Sequence, residues 1–223
     1  MISKEYLQDL RIKSCPIYLI HMNNNYDNYF WDFDGVLIES DDIRTAGFEH
    51  VFRAYNTSVI SKIINFHKKN GGLSRYFKIN HFYEVIIKKK LTKDLLELHL
   101  TDYTNFVYER LINPKLLISE NLTFIKKNQS KNHFIVSASD EKELKSICNN
   151  LKIDYLFSEI KGSPQIKENN ILSIISKNKL NKAKCVLIGD SINDLNAATI
   201  ANIDFIGFNN PELESMSSRK SVN

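Results

Sequence analysis

Four short apolar runs, at residues 29–33, 133–136, 185–188 and 205–208, are each about one strand long, and each gives way to polar or turn-forming residues. Between them lie segments such as EKELKSICNNL (141–151) and NNILSIISK (169–177), whose apolar residues recur at spacings of three and four, the period of an amphipathic helix. Strand alternating with helix joins neighbouring strands by crossovers, which predicts an α/β fold with a parallel sheet covered on both faces. The stretch 41–120 breaks the rhythm, because AGFEHVFRAY, HFYEVIIKKK and LLELHLTDYTNFVYERL carry helical periodicity and no segment there reads as a strand. It is expected to form an inserted helical lobe. PIYLIHM (16–22) would serve as an extra strand, but the Asn-rich run after it points to a surface turn, and residues 1–28 stay unassigned.

Length and composition fit this plan. A chain of 223 residues with 43% hydrophobic content can bury one core beside a modest lobe, and 7 Gly with 4 Pro leave little room for long linkers. No apolar run approaches the ~20 residues of a membrane span, and the first residues lack the features of a secretory signal. Cys15, Cys148 and Cys185 are spaced for neither a zinc site nor a disulfide framework. The expectation is a soluble cytoplasmic protein in a reducing compartment. A net charge of +4, dispersed along the chain, is too weak to argue for nucleic acid and is compatible with a small anionic substrate, so a small molecule rather than nucleic acid or membrane is the expected partner. Oligomeric state is not read from the sequence.

Chemistry concentrates at the ends of the predicted strands. In YFWDFDGVLIES the apolar run ends at Asp32, with Asp34 and Gly35 directly after, so two carboxylates project from the strand edge at which open parallel sheets bind ligands. Strand alternation predicts that Asp32 and Asp34 share one side and one cation, and divide the labour of nucleophile and proton carrier. Taken alone, Asp-x-Asp-Gly is also a common polar turn. CVLIGDSIND repeats the pattern. Gly189 permits a tight turn, Asp190 is a hard oxygen ligand suited to Mg²⁺, and Asp194 either orients a metal-bound water or simply starts a helix. Ser137 ends the run HFIVS, where its hydroxyl and the amides of Ala138 and Ser139 would donate to phosphoryl oxygens, or where it merely caps a turn. Lys167, 23 positions before Asp190 at the head of a predicted helix, would neutralise nucleophile and phosphate together unless it is a solvated surface lysine. Each reading is weak alone, and their order along the chain gives the set its force.

DFDGVLIES, FIVSAS, Lys167 and GDSIND resemble the four signature motifs of the haloacid dehalogenase superfamily, over about residues 29–208. The resemblance implies a Rossmann-like core and a magnesium-dependent phosphomonoester hydrolase. Asp32 would be nucleophile and metal ligand, and Asp34 general acid and base as well as metal ligand through its backbone carbonyl. Ser137 and Lys167 would bind phosphate, Asp190 would hold Mg²⁺, and Asp194 would be linked to the metal directly or through a neighbour. Lys161 is the second choice for the lysine. The long interval between Asp34 and Ser137 implies an all-helical cap of the first insertion type, dividing the chain into a core of residues 1–40 and 121–223 and a cap of 41–120.

Within that lobe, HKKNGGLSRYFKIN places Ser74, Arg75 and Lys78 after paired glycines. The Gly-x-Ser-Arg core is similar to the cap loop of beta-phosphoglucomutases, which implies that Arg75, with Lys78, faces the active site and binds substrate. A helix C-cap followed by a solvated helix start is the other reading. His67 reads as structural or exposed. The fuller pattern, with SDDIRTAGF, resembles phosphatases of bacterial surface-polysaccharide gene clusters, which act on phosphorylated sugars or precursors of capsule decorations; phosphoglycolate phosphatases are similar in layout. Arg44 stands ten residues after Asp34, where the mutases carry histidine, and this favours hydrolysis over phosphoryl shuttling. A phosphomutase, a receiver-type phosphoacceptor and an idle binding relative are the alternatives.

Overall fold

The structure, a computed structural model, describes residues 26–215, so PIYLIHM and Cys15 lie outside the described residues. Five strands form one sheet: β1 (Asn28–Trp31), β2 (Asn132–Asp140), β3 (Glu159–Ser163), β4 (Cys185–Gly189) and β5 (Asp204–Gly207). All pairings are parallel, in the order β3-β2-β1-β4-β5. The four apolar runs became β1, β2, β4 and β5. The fifth strand, EIKGS, has no apolar run to announce it, since an edge strand pairs on one side only and tolerates polar residues.

Strand alternation builds two apolar faces. Tyr29, Trp31, Ile135, Val186 and Ile188 belong to one buried cluster, and Phe30, Phe134, Val136, Leu187 and Phe205 to the other. Helices α5 (Ser119–Lys127) and α6 (Glu141–Asn150) contribute Phe124, Ile125, Leu144 and Ile147 to the first face. Helices α7 (Lys167–Lys177) and α8 (Ile192–Ala201) contribute Ile171, Ile174, Ala197 and Ala198 to the second, and α9 (Pro211–Ser215) closes the described chain.

Every element between Asp41 and Leu116 is helical: α1 (Asp41–Val51), α2 (Thr57–Lys69), α3 (Arg75–His81), a π-helical turn (Phe82–Ile86), α4 (Lys93–Leu111) and a 3₁₀ turn (Pro114–Leu116). Asn56, Ser74 and Thr92 cap α2, α3 and α4 with side-chain oxygens. The chain enters and leaves this region through adjacent antiparallel segments, where Glu39 N donates to Leu116 O at 2.8 Å and Ile118 N to Leu37 O at 3.0 Å. The lobe's apolar residues, among them Phe48, Phe52, Ile79 and Phe82, join the same buried cluster as the first face of the sheet.

Leu187 is fully buried at the centre of β4. Leu187→Ala is expected to cost about 2–5 kcal/mol, the range for deleting a buried leucine side chain, measured as a shift in the urea midpoint at constant slope.

Candidate active site

Parallel strands β1 and β4 lie side by side with Trp31 level with Ile188, and the Asp32 amide extends the ladder by donating to Ile188 O at 2.9 Å. Their C-terminal ends therefore carry Asp32 and Asp190 to the same edge. The register places residues 32 and 190 on neighbouring strand extensions, and Gly35 makes their approach possible. With φ at +75°, Gly35 sits against Asp190, where an added Cβ would fall 2.0 Å from Asp190 Oδ2. Asp194 arrives from the first turn of α8. Ser191 caps that helix reciprocally, its N and Oγ donating to Asp194 Oδ2 at 3.1 and 2.6 Å. Asp194 is thus part of a capping box and of the acidic group at once.

One oxygen each from Asp32, Asp190 and Asp194 lies within 4.8 Å of the others. Lys167, first residue of α7 and buried, stands between two of them, with Nζ 2.8 Å from Asp32 Oδ1 and in contact with Asp194 Oδ1. Burial pushes the Asp32 carboxyl up, Asp194 adds to the push, and Lys167 opposes it. Burial likewise pushes Asp190 up, reinforced by Asp32 and then Asp194. Burial works against the Lys167 ammonium, but Asp194 and Asp32 together outweigh it and hold its pKa above the lysine range. One ammonium among three carboxylates leaves an excess of negative charge, and a set of carboxylate oxygens at this spacing suits a hard divalent cation.

Asp34 is not part of this group. β1 ends at Trp31, so the strand alternation expected to set Asp34 beside Asp32 does not govern residue 34, and its carboxylate meets other partners. Its Oδ1 accepts from Arg44 Nε at 2.9 Å and from Ser40 Oγ at 2.5 Å, and its Oδ2 accepts from Ser139 Oγ at 2.6 Å. Burial alone would raise the Asp34 carboxyl, but Arg44 and the Ser139 and Ser40 hydroxyls hold it below the usual range.

The remaining expected residues fall as follows. Ser137 is buried in β2, which runs on to Asp140, and its Oγ accepts from the Ser139 amide at 3.0 Å. That amide, expected to face phosphoryl oxygens, is engaged by Ser137 in the irregular C-terminal part of β2. Ala138 and Ser139 line a cavity of about 670 Å³ together with Asp32, Asp34 and Asp190. Arg75 and Lys78 line it too, and both are buried, which overturns the solvated-helix reading. Arg75 does not stand free: its Nη1 contacts Glu143 Oε2, and its Nη2 lies 3.6 Å from Asp140 Oδ1. Lys78 Nζ meets His67 Nδ1 at 2.9 Å and donates to Gly71 O at 3.2 Å; burial lowers its pKa to about 7 and that of His67 to about 3. Lys161 lies on β3, 3.9 Å from Glu141 and outside the acidic group.

Sequence reasoning missed Glu143, Asp140, Ser40 and Tyr103. Glu143 left a trace, because it shares the apolar stripe of α6 with Leu144, Ile147 and Cys148, a face on which a carboxylate calls for a buried partner. That partner is Arg44, whose Nη1 donates to Glu143 Oε1 at 2.5 Å.

A parallel sheet with an acidic, lysine-bridged edge under a helical lobe defines an α/β protein built to gather negative charge around a small ligand. The profile of the haloacid dehalogenase-like hydrolases matches residues 29–208, and the chain belongs to that family. No curated protein matches the chain in sequence. Among solved structures it is similar to a beta-phosphoglucomutase from Clostridium difficile, at 17% identity over 86% of this chain and 88% of that one, TM-score 0.69. It is similar to a predicted phosphoglycolate phosphatase from Haemophilus somnus 129PT, at 22% identity over 82% and 84%, TM-score 0.62. It is also similar to a haloacid dehalogenase-like family protein from Streptococcus pneumoniae, at 18% identity over 87% and 92%, TM-score 0.63. Among the described residues no helix is long and apolar enough to cross a membrane.

Lys167→Met would leave Asp32 and Asp194 without their shared cation. Metal-free protein carrying it is expected to lose about 3–5 kcal/mol, the range for breaking a buried ion pair, in denaturant unfolding with a chelator present.

Proposed function

We propose that the protein is a magnesium-dependent phosphatase that hydrolyses a small phosphomonoester through an aspartyl-phosphate on Asp32. The observation that carries this reading is the convergence of Asp32, Asp190 and Asp194 with Lys167 at one sheet edge, where Asp32 and Asp190 line a cavity large enough for a small phosphorylated molecule. The carboxylate oxygens of Asp32, Asp190 and Asp194, with the backbone carbonyl of Asp34, would hold Mg²⁺, which when bound supplies positive charge against the phosphoryl oxygens. Asp32 attacks phosphorus in line, the ester oxygen departs with a proton from Asp34, and water deprotonated by Asp34 then attacks the aspartyl phosphate to release inorganic phosphate. Lys167, touching Asp32, offsets the repulsion between anionic nucleophile and anionic ester. Ser137, Ala138 and Ser139, in the C-terminal part of β2, flank the phosphate position.

Residues 41–120 act as a lid in this reading, over a core formed by 1–40 and 121–223, with the paired segments around Glu39 and Leu116 as the hinge. Arg75 and Lys78 contact the leaving group from the lid side. A phosphorylated sugar or amino-alcohol for surface-polysaccharide synthesis is the substrate class suggested by the Gly-Gly-x-Ser-Arg-x-x-Lys segment, in a cytoplasmic setting. Arg44, engaged with Asp34 where mutases carry histidine, supports hydrolysis over mutase chemistry.

Asp32→Asn is expected to lower phosphate release on the order of a thousandfold in a panel of sugar and amino-alcohol phosphates, and a near wild-type rate would remove the covalent step. In thermal unfolding, Mg²⁺ at about 100 times its Kd is expected to stabilise the wild type by about 2.7 kcal/mol, a gain that Asp190→Asn loses.

A further inference from the structure

The Asp34 carboxylate is held outside the group of Asp32, Asp190 and Asp194, and the charged part of that hold is Arg44. Arg44 is only 6% exposed and serves two carboxylates, Asp34 through Nε at 2.9 Å and Glu143 through Nη1 at 2.5 Å. Its Nη2 is buried with no hydrogen-bond partner among the described residues. The Glu143 side chain is 0% exposed and also takes Arg75. Stripping a buried guanidinium of its last carboxylate is strongly unfavourable, so the freedom of Asp34 to turn depends on what else compensates Arg44. Ser40 and Ser139, the other two holders, are neutral hydroxyls and impose no such cost.

We propose that Arg44 and Glu143 are a positioning pair for Asp34: Arg44 retains the carboxylate in the place seen here, at the wall of the cavity that Asp32 also lines, and Glu143 allows its release by keeping the Arg44 charge compensated when Asp34 turns toward the ester oxygen. The proposal rests on the reading of Asp34 as proton carrier. Arg44 and Arg75 belong to the helical lobe while Glu143 and Asp34 belong to the sheet side, so the pair also ties the position of Asp34 to the seating of the lobe.

The two residues act in opposite directions, which separates this role from a merely structural one. The test compares kcat and KM for phenyl phosphate, whose poor leaving group needs the proton from Asp34, with those for p-nitrophenyl phosphate, whose leaving group does not. Glu143→Gln leaves Arg44 with Asp34 alone, and is expected to lower kcat for phenyl phosphate about tenfold more than for p-nitrophenyl phosphate, with KM little moved. Arg44→Gln is expected to raise the phenyl-to-p-nitrophenyl ratio about threefold, and the double variant to keep that raised ratio, because Glu143 acts only through Arg44. Equal losses on both esters in Glu143→Gln, or a lower ratio in Arg44→Gln, would overturn the pair. Should Glu143→Gln fail to fold by circular dichroism, the ratio in Arg44→Gln and in the charge-balanced double variant decides. Asp34→Asn is the control for the underlying reading: if it lowers both esters alike, Asp34 is not the proton carrier, whereas a selective loss there without the effects at Arg44 and Glu143 sinks the positioning pair alone.

Discussion

Carboxylates repel, and this fold places three of them within one small radius at the edge of a sheet. Much of the surrounding structure counters that repulsion. Parallel pairing of β1 and β4 fixes Asp32 and Asp190 on adjacent strand ends, with backbone hydrogen bonds rather than side chains holding them in place. The capping box turns Asp194 inward at a helix N-terminus, where the aligned peptide dipoles favour negative charge. Lys167 enters from the start of α7 and lies between Asp32 and Asp194, yet one ammonium balances only part of the charge. The residue of negative charge suits the edge to a cation.

The same economy recurs around Asp34, where two buried arginines are each shared between carboxylates. Arg44 serves Asp34 and Glu143, and Arg75 serves Glu143 and Asp140. The two aspartates of DFDG, adjacent in sequence but for Phe33, therefore belong to separate networks, one centred on Lys167 and the other on Arg44. Phe33, fully buried, anchors the backbone between them, and the left-handed Gly35 turns the chain immediately after. Splitting the pair puts Asp32 beside one cation and Asp34 beside another, while the Asp34 charge still adds to the push on the Asp32 carboxyl.

The alternation of strand and helix was legible because two faces of a buried parallel sheet demand apolar strands, and the helical lobe was legible because 3.6-residue periodicity ran on without a strand between. The edge strand EIKGS escaped, since pairing on one side imposes no apolar run. At the site, Asp32, Asp190, Asp194 and Lys167 were legible as strand ends and helix starts, the points at which a parallel sheet gathers its chemistry. The partners of Asp34 were not legible, because alternation does not carry over the three residues from the end of β1 to Asp34. The Arg44–Glu143–Arg75 network was out of reach for a different reason: it joins residues 99 and 68 positions apart, and nothing in local pattern says which buried arginine meets which buried glutamate.

That network also bears on how the lobe sits over the cavity. The named side-chain contacts that join α3 to the sheet side at this point are polar: Arg75 with Glu143, and Tyr76 Oη donating to Asp140 Oδ2 at 2.7 Å. Gly72, in the loop before α3, lies so close to Ser191 and Asn193 that a Cβ would fall 2.6 Å from Asn193 Cβ. The lobe therefore reaches down onto the loop that carries Asp190, and it does so through a residue without a side chain and through bonds that water can replace. Apolar contacts resist exposure in proportion to area, whereas polar ones can be exchanged for solvent at small net cost. The lobe is thus joined to the sheet by a continuous apolar cluster and fastened beside the cavity by polar contacts, one of them a buried ion pair.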